Sequence, residues 1–159
     1  METKRAYKFR FYPTPEQELN LAKTFGCARF AYNYMLRQRT DAWFQRQEKV
    51  GYHETSAMLT ALKKQSEFAW LNEVSSVPVQ QSLRHLQTAF GNFFSRRNKY
   101  PTFKKKDGAQ SAEYTTSAFK WDGKTLSIAK NGALNIRFSR TIPKAAIVTT
   151  VTVSKDTAG

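Results

Sequence analysis

The chain has 159 residues and a formal net charge of +14 at pH 7. Its 40% apolar and 14% aromatic content can bury a core, which excludes a disordered basic tail. The charge favours a polyanionic partner, as in ribosomal, DNA-binding, RNA-binding and anionic-membrane proteins. This length allows one domain, or a small domain with another inserted in it.

Cysteine content and apolar runs narrow the class of protein further. Cys27 is the only cysteine, which excludes an internal disulfide and a cysteine-based zinc site; two distant histidines do not replace it. Its apolar neighbours favour a buried side chain over a nucleophile. No apolar run reaches the length of a bilayer span, and no signal-peptide segment follows the N-terminus. We therefore expect a cytoplasmic protein without a membrane partner.

The first predicted element is a strand from Ala6 to Tyr12. Aromatic and cationic residues alternate along it, which is the period-two pattern of a half-buried strand. A solvated outer face and a phosphate-contacting outer face fit this pattern equally well. The inner residues are Tyr7, Phe9 and Phe11, and the outer residues are Lys8 and Arg10.

Two helices are predicted next, with Gly26 as the break between them. Thr14, Pro15 and Gln17 form a capping-box start for a helix that runs to about Thr24. Two helices joined by a glycine-containing turn resemble a helix-turn-helix unit, whose second helix can enter the DNA major groove. Plain helical bundles share this pattern. The predicted buried face of the second helix comprises Phe30, Ala31, Tyr34, Met35, Ala42 and Trp43.

Two further helices are predicted before the most basic segment. Thr55 is the candidate N-cap of a short helix after Gly51, and its inner residues are Met58, Leu59 and Leu62. A longer helix begins at Ser76 and ends at Pro101. Its apolar residues recur at threes and fours, as one buried face requires. They are Val79, Leu83, Leu86, Phe90 and Phe93 or Phe94.

Between Glu73 and Asp107 the chain has no carboxylate, and cations alternate there with aromatic residues. Such a surface suits nucleic acid, because cations meet phosphates and aromatic faces stack on exposed bases. Most of these aromatic residues are predicted in the core, so Tyr100 and Phe103 are the stacking candidates. The cations are Arg84, Arg96, Arg97, Lys99, Lys104, Lys105 and Lys106.

From Ser111 onward the pattern is that of short strands, with turns at Asp122-Gly123 and Asn131-Gly132. The predicted strands cover residues 114–118, 126–128, 134–138 and 147–153. We predict an α+β fold in which residues 1–13 and 105–159 form a small antiparallel β-barrel or sheet. Residues 14–104 then form an inserted helical lobe with a helix-turn-helix-like start.

The acidic residues are scattered and form no recognisable set of metal ligands. No glycine-rich phosphate loop and no Ser, His and Asp arrangement stands out. We therefore expect no catalytic residue, no metal and no cofactor in this chain.

Three segments in order along the chain carry a family resemblance: Tyr7–Gln17, Gly26–Asn33 and Tyr100–Lys106. With them the whole chain resembles the N-terminal region of TnpB, or OrfB, a family of prokaryotic insertion-sequence proteins once called transposases. The resemblance implies a full protein that is a nucleoid-associated, RNA-guided DNA endonuclease related to type V CRISPR effectors. It also implies a wedge-like barrel with an inserted recognition lobe.

The resemblance further implies residues that read a short DNA motif beside the target. Gln80 can pair bidentately with adenine, and the hydroxyls of Tyr52 and Ser56 can reach bases or phosphates. Some relatives carry a lysine and an aromatic residue at the positions of Ser76 and Val77. This difference implies that the chain prefers a different DNA motif or has lost the ability to read one. Helix capping is the alternative role for Ser56 and Ser76.

Guide RNA, or the guide–target duplex, would be held through its backbone. Full-length relatives continue into a RuvC-like nuclease domain and a zinc ribbon, which use Mg and Zn. This sequence contains neither, so we expect no DNA cleavage by the chain itself. The implied backbone contacts are Lys4, Arg5, Lys8 and Arg10, together with Lys104, Lys105 and Lys106.

The sequence therefore predicts the nucleic-acid-binding part of a TnpB-type endonuclease, with guide RNA and target duplex DNA as partners. One alternative is a stand-alone helix-turn-helix DNA-binding regulator, which needs no RNA. Another is a subunit that works with a separate nuclease domain. A third is a ribosome-like structural binder without preference for a DNA motif.

Overall fold

Helices form most of the chain up to Phe94 in the computed structural model, which describes residues 3–155. The α-helices of this range are α1 (Pro15–Arg46), α2 (Tyr52–Lys63) and α3 (Ser76–Phe94). A 3-10 helical segment, Ser66–Glu73, connects α2 to α3. Among the described residues, no helix has both the length and the apolar character that a bilayer crossing requires.

The start of α1 agrees with the prediction, but its length does not. The Thr14 backbone N–H donates to Gln17 Oε1 at 3.0 Å, and the Gln17 backbone N–H donates to Thr14 Oγ1 at 3.2 Å. These bonds confirm the capping box. The predicted end near Thr24 and turn at Gly26 are wrong, because α1 runs unbroken over 32 residues. A glycine costs about 1 kcal/mol in a helix interior, and buried side chains on both sides of Gly26 offset that cost.

The short second helix begins at a different cap from the one predicted. Gly51 is the N-cap of α2, and its backbone N–H donates to Glu54 Oε2 at 2.9 Å. The predicted cap, Thr55, lies inside the helix, is buried, and donates its hydroxyl to Tyr52 O at 2.9 Å. The inner face is confirmed by the burial of Leu59 and Leu62.

The third helix starts where predicted and ends early. Ser75 caps α3 by accepting a hydrogen bond from the Val77 backbone N–H at 3.4 Å. The predicted apolar face is buried from Val79 through Phe90. The helix ends at Phe94 instead of Pro101, and Phe94 is 71% exposed. Its predicted place in the core is therefore wrong.

The strands of residues 3–155 form separate small antiparallel sheets, not a closed barrel. The antiparallel α+β class is confirmed, and the barrel prediction is wrong. Strands β1 (Arg10–Phe11), β5 (Gly132–Ala133) and β6 (Ile136–Arg137) each have 2 residues, too few for a ladder that continues around a barrel. The pairs are β1 (Arg10–Phe11) with β6 (Ile136–Arg137), and β2 (Gln110–Thr115) with β7 (Thr150–Lys155). In the third sheet β4 (Leu126–Ile128) pairs with both β3 (Phe119–Trp121) and β5 (Gly132–Ala133).

Both predicted hairpin turns are confirmed. They join β3 to β4 and β4 to β5, with φ of 96° at Gly123 and 69° at Gly132. These left-handed conformations favour glycine, which has no Cβ. The pairing of β1 with β6 also brings the N-terminal strand onto the C-terminal strands, as predicted. The first strand is shorter than predicted, and the last begins at Thr150 instead of Ile147.

Two apolar cores share α1. Its first turns, with Leu21 and Phe25, pack on the strands, whereas its later turns pack on α2 and α3. Full burial of one such side chain contributes about 1.5–3 kcal/mol. Cys27 is buried in the helical core, as predicted, and burial raises the pKa of its thiol to about 11. Trp43 is 44% exposed, so its predicted place on the buried face is wrong.

Candidate nucleic-acid interface

The structure joins three of the predicted motif-reading residues in one hydrogen-bonded cluster. Gln80 Nε2, on α3, donates to Tyr52 Oη and to Ser56 Oγ, each at 2.7 Å. The guanidinium carbon of Arg84 lies 4.5 Å from the centroid of the Tyr52 ring. We call these four residues the Gln80 cluster.

Helical spacing places the Gln80 cluster at the solvent edge of the contact between α2 and α3. Tyr52 and Ser56 are four residues apart on α2, and Gln80 and Arg84 are four apart on α3, so each pair shares a face. Tyr52, Ser56 and Gln80 are half-buried, and Arg84 is exposed. The cluster is therefore held by the helical core beneath it while its polar edge faces solvent.

The amide of Gln80 can present either a hydrogen-bond acceptor or hydrogen-bond donors to solvent. With both amide protons directed to hydroxyls, Oε1 remains as an acceptor. Hydroxyl groups both donate and accept, so Tyr52 and Ser56 can also hold the amide in the opposite orientation, which presents its N–H groups. Such an edge can match the donors or acceptors of a base in the major groove.

The other two predicted reading residues lie at the start of α3 and differ in environment. Ser76 is exposed and shares the face of Gln80 and Arg84 by helical spacing. Ser75 is the cap, so the capping role considered for Ser76 is wrong. Val77 is half-buried and packs against the core of the strands. Ser56 lies inside α2 and is also not a cap.

The cations that follow α3 are all exposed. Arg96, Arg97 and Lys99 lie in the loop after the helix and line an open cleft with Phe93 and Asn98. Within residues 3–155 none of these cations forms an ion pair. Their charge is therefore available to an external anion.

The three lysines of the basic segment differ in how firmly the fold holds them. Asn33 accepts the Lys104 backbone N–H at 2.8 Å and donates to the Lys104 carbonyl at 2.9 Å. Lys104 Nζ lies 4.4 Å from the centroid of the Tyr32 ring, and burial lowers the pKa of Lys104. All three lysines are exposed at the surface, so what distinguishes Lys104 is its contact with Tyr32 and its bonds to Asn33. Two segments that carry the family resemblance therefore contact each other at Lys104.

The two stacking candidates have different surroundings. The Tyr100 hydroxyl lies 2.7 Å from Thr40 Oγ1, and its ring meets Phe90 and Phe93 edge to face at 5.4 and 5.1 Å. Tyr100 is thus half-buried and engaged within the chain. Phe103 is 54% exposed, and its ring remains accessible for a base.

The N-terminal cations are exposed, and the structure adds an arginine that sequence reasoning missed. Arg10 lies directly opposite Arg137 in the β1–β6 pair. Opposed like charges destabilise a sheet by roughly 0.2–1 kcal/mol. On the other face Phe9 meets Phe138 edge to face at 5.1 Å. In the sequence, Arg137 lies between the apolar residues Ile136 and Phe138, which indicates an outward-facing side chain on a strand. The sequence does not show which residue of the first strand lies opposite it. The predicted cations on this side are Lys4, Arg5, Lys8 and Arg10.

Comparison with known proteins supports the resemblance. Residues 1–48 match the family model of the helix-turn-helix domain of IS605-type OrfB proteins. In the structure, residues 15–46 of this range form the single unbroken helix α1.

Three relatives match along most of the chain. A Streptomyces pristinaespiralis protein, provisionally named an RNA-guided DNA endonuclease, is 56% identical over 99% of this chain and 40% of its own length. InsQ of Escherichia coli K12, with the same provisional description, is 29% identical over 98% of this chain and 38% of its own length. The virulence protein VsdF of Salmonella dublin is 34% identical over 65% of this chain and 95% of its own length.

The chain thus spans about two fifths of the length of its relatives that are named for endonuclease activity, and nearly all of VsdF. The matched domain and the relatives agree with the three sequence segments quoted above. The chain belongs to the OrfB, or TnpB, family of insertion-sequence proteins.

Proposed function

We propose that this chain is the nucleic-acid-binding N-terminal part of a TnpB-type RNA-guided DNA endonuclease. It binds guide RNA and target duplex DNA, reads a short DNA motif beside the target, and does not cut DNA by itself. The Gln80 cluster is the observation that carries this proposal. It joins predicted reading residues of two helices at 2.7 Å, beside an exposed arginine.

Different residues read the DNA motif and bind the nucleic-acid backbone. The Gln80 amide and the two hydroxyls present donors and acceptors to base edges, while Arg84 neutralises a nearby phosphate. Exposed cations on the β1–β6 pair, in the loop after α3 and at residues 105–106 hold the backbone without regard to sequence. The relatives named as RNA-guided endonucleases support RNA and DNA as the two ligands.

Replacing Gln80 tests motif reading. We expect Gln80→Ala to change or lose the base preferred at one position, because a bidentate base contact contributes about 1–3 kcal/mol of discrimination. The measurement is selection of bound duplexes from a randomised library, using the protein with its co-purified RNA. Gln45→Ala, at an exposed position of α1, is the matched control.

An unchanged motif in Gln80→Ala, or no enriched motif with the wild-type chain, contradicts this proposal. Nuclease digestion of the co-purified RNA separates it from the stand-alone regulator. We expect motif-specific binding to fall after digestion, whereas a stand-alone regulator keeps it. The unbroken α1 lacks the turn that a helix-turn-helix regulator requires at Gly26.

A further inference from the structure

The last turn of α3 exposes an aromatic ring at the edge of a cationic loop. Phe94 is 71% exposed. Its ring is supported by Phe93 at 5.3 Å and by Phe90 at 6.2 Å, with only 26° between the Phe90 and Phe94 planes. The ring is therefore held in place from within the chain while much of its surface meets solvent. A supported, exposed ring can serve as a stacking platform.

The backbone after this ring closes α3 in a Schellman motif. The Arg96 N–H donates to Phe93 O at 3.0 Å, and the Arg97 N–H donates to Asn92 O at 2.8 Å. The residue at the left-handed position of this motif is commonly glycine. Here it is Arg96, with φ of 64°. The chain thus carries a cationic side chain at a position where the backbone alone favours glycine.

Charge complementarity identifies the ligand. Arg96, Arg97 and Lys99 line an open cleft with Phe93, whose ring lies 5.3 Å from that of Phe94, and they form no ion pair within residues 3–155. Cations beside an exposed aromatic ring suit a strand that offers both phosphates and unpaired bases. The bases of a duplex are stacked on each other, so a duplex leaves the ring without a partner.

We propose that the C-terminal end of α3 is a binding site for single-stranded nucleic acid, in which Phe94 stacks on one base and Arg96, Arg97 and Lys99 contact phosphates. The inference rests on the proposed function only in taking nucleic acid as the ligand. The site is separate from the Gln80 cluster, because the α-helical rise puts Gln80 and Phe94 about 21 Å apart along α3.

The test compares two site variants with a matched control. Binding is measured by fluorescence anisotropy with labelled oligouridine, oligothymidine and a DNA duplex, each about 12 nucleotides or base pairs long. We expect Phe94→Ala to weaken single-strand binding by roughly 5- to 150-fold and to leave duplex binding unchanged, from the measured range for base–aromatic stacking. The RNA and DNA strands show which nucleic acid the site prefers.

Arg96→Gly separates a binding role from a structural one. We expect it to raise the melting temperature, because glycine adopts this φ without strain, and to weaken single-strand binding with a salt slope lower by about 1. Gln47→Gly is the control, since Gln47 also caps a helix with φ of 56°. It should raise the melting temperature without changing binding.

Wild-type affinity for single strands in both Phe94→Ala and Arg96→Gly overturns the inference, and so does a lower melting temperature of Arg96→Gly with unchanged binding. If these variants bind single strands like the wild type while the duplex is still bound, only this site is refuted. If the wild-type chain binds no RNA and no duplex, the proposed function fails as well.

Discussion

Arg10 and Arg137 show how one pair of residues links stability to binding. They are register partners on the exposed face of the β1–β6 pair and have no carboxylate partner within residues 3–155. Their repulsion costs stability in the free protein, whereas a phosphate between them removes that cost. We infer that this pair contacts the nucleic-acid backbone.

Arg137→Gln tests this inference. We expect the free energy of unfolding to rise by roughly 0.2–1 kcal/mol, because the opposed charge is removed. Affinity for duplex DNA should fall, with a salt slope smaller by about 1. Urea denaturation and binding titrations at several salt concentrations measure the two effects.

Arg140→Gln is the control, since it removes the same charge. The Arg140 guanidinium lies 5.0 Å from the centroid of the Tyr7 ring, so this variant loses a favourable contact and should not gain stability. Lower stability of Arg137→Gln together with unchanged affinity would contradict the role of the arginine pair.

Among the helices and strands, α1 differs most from the prediction made from the sequence. Its capping box was predictable, because the two bonds join residues three apart. Its continuation through Gly26 was not, because it depends on contacts with distant parts of the chain. The first turns pack on Tyr114 and Ile128 of the strands, and the later turns pack on Leu59 and Leu86 of the helices.

Gly26→Ala tests the continuity of α1. A Cβ at Gly26 meets no atom within 4 Å, and alanine favours the helix interior by about 1 kcal/mol over glycine. We therefore expect a gain of up to about 1 kcal/mol in the free energy of unfolding. A glycine in a left-handed turn would instead lose stability on the same change.

Gly132→Ala is the matched control for this experiment, because Gly132 has open space for a Cβ but a φ of 69°. It should lower the free energy of unfolding, and thermal or urea denaturation measures both variants. Destabilisation by Gly26→Ala of the same size as by Gly132→Ala would indicate a turn at Gly26.

Across the whole molecule, positive charge is spread over the surfaces of both the helical part and the strands. The loop after α3, the lysines at 105–106 and the β1–β6 pair all present unpaired cations within residues 3–155. A ligand that contacts several of these surfaces at once is long and anionic. This distribution fits a nucleic acid better than a small anion.

We therefore expect nucleic-acid binding to fall steeply with salt. Contact with about six phosphates gives a slope near −5 in a plot of log K against log salt for a DNA duplex. Lys105→Gln should reduce the magnitude of this slope by about 1. Lys23→Gln is the control, since Lys23 Nζ lies 3.6 Å from Glu73 Oε2. A slope near zero for the wild-type chain would contradict binding to a polyanion.

Features that depend on neighbouring residues can be predicted from the amino-acid sequence. The capping box, both hairpin turns, the apolar face of α3 and the excess of cations follow from side chains within a few positions of each other. The family resemblance also predicts a common role in DNA reading for Gln80, Tyr52 and Ser56. It does so without showing that they touch.

Features that depend on contacts between distant segments become visible in the three-dimensional fold. It extends α1 through Gly26, limits several strands to 2 residues, and bonds Gln80 to the hydroxyls on α2. It also sets Arg10 against Arg137 and leaves Phe94 exposed. Strand register and side-chain packing minimise the free energy of the whole fold, which outweighs local preferences of about 1 kcal/mol.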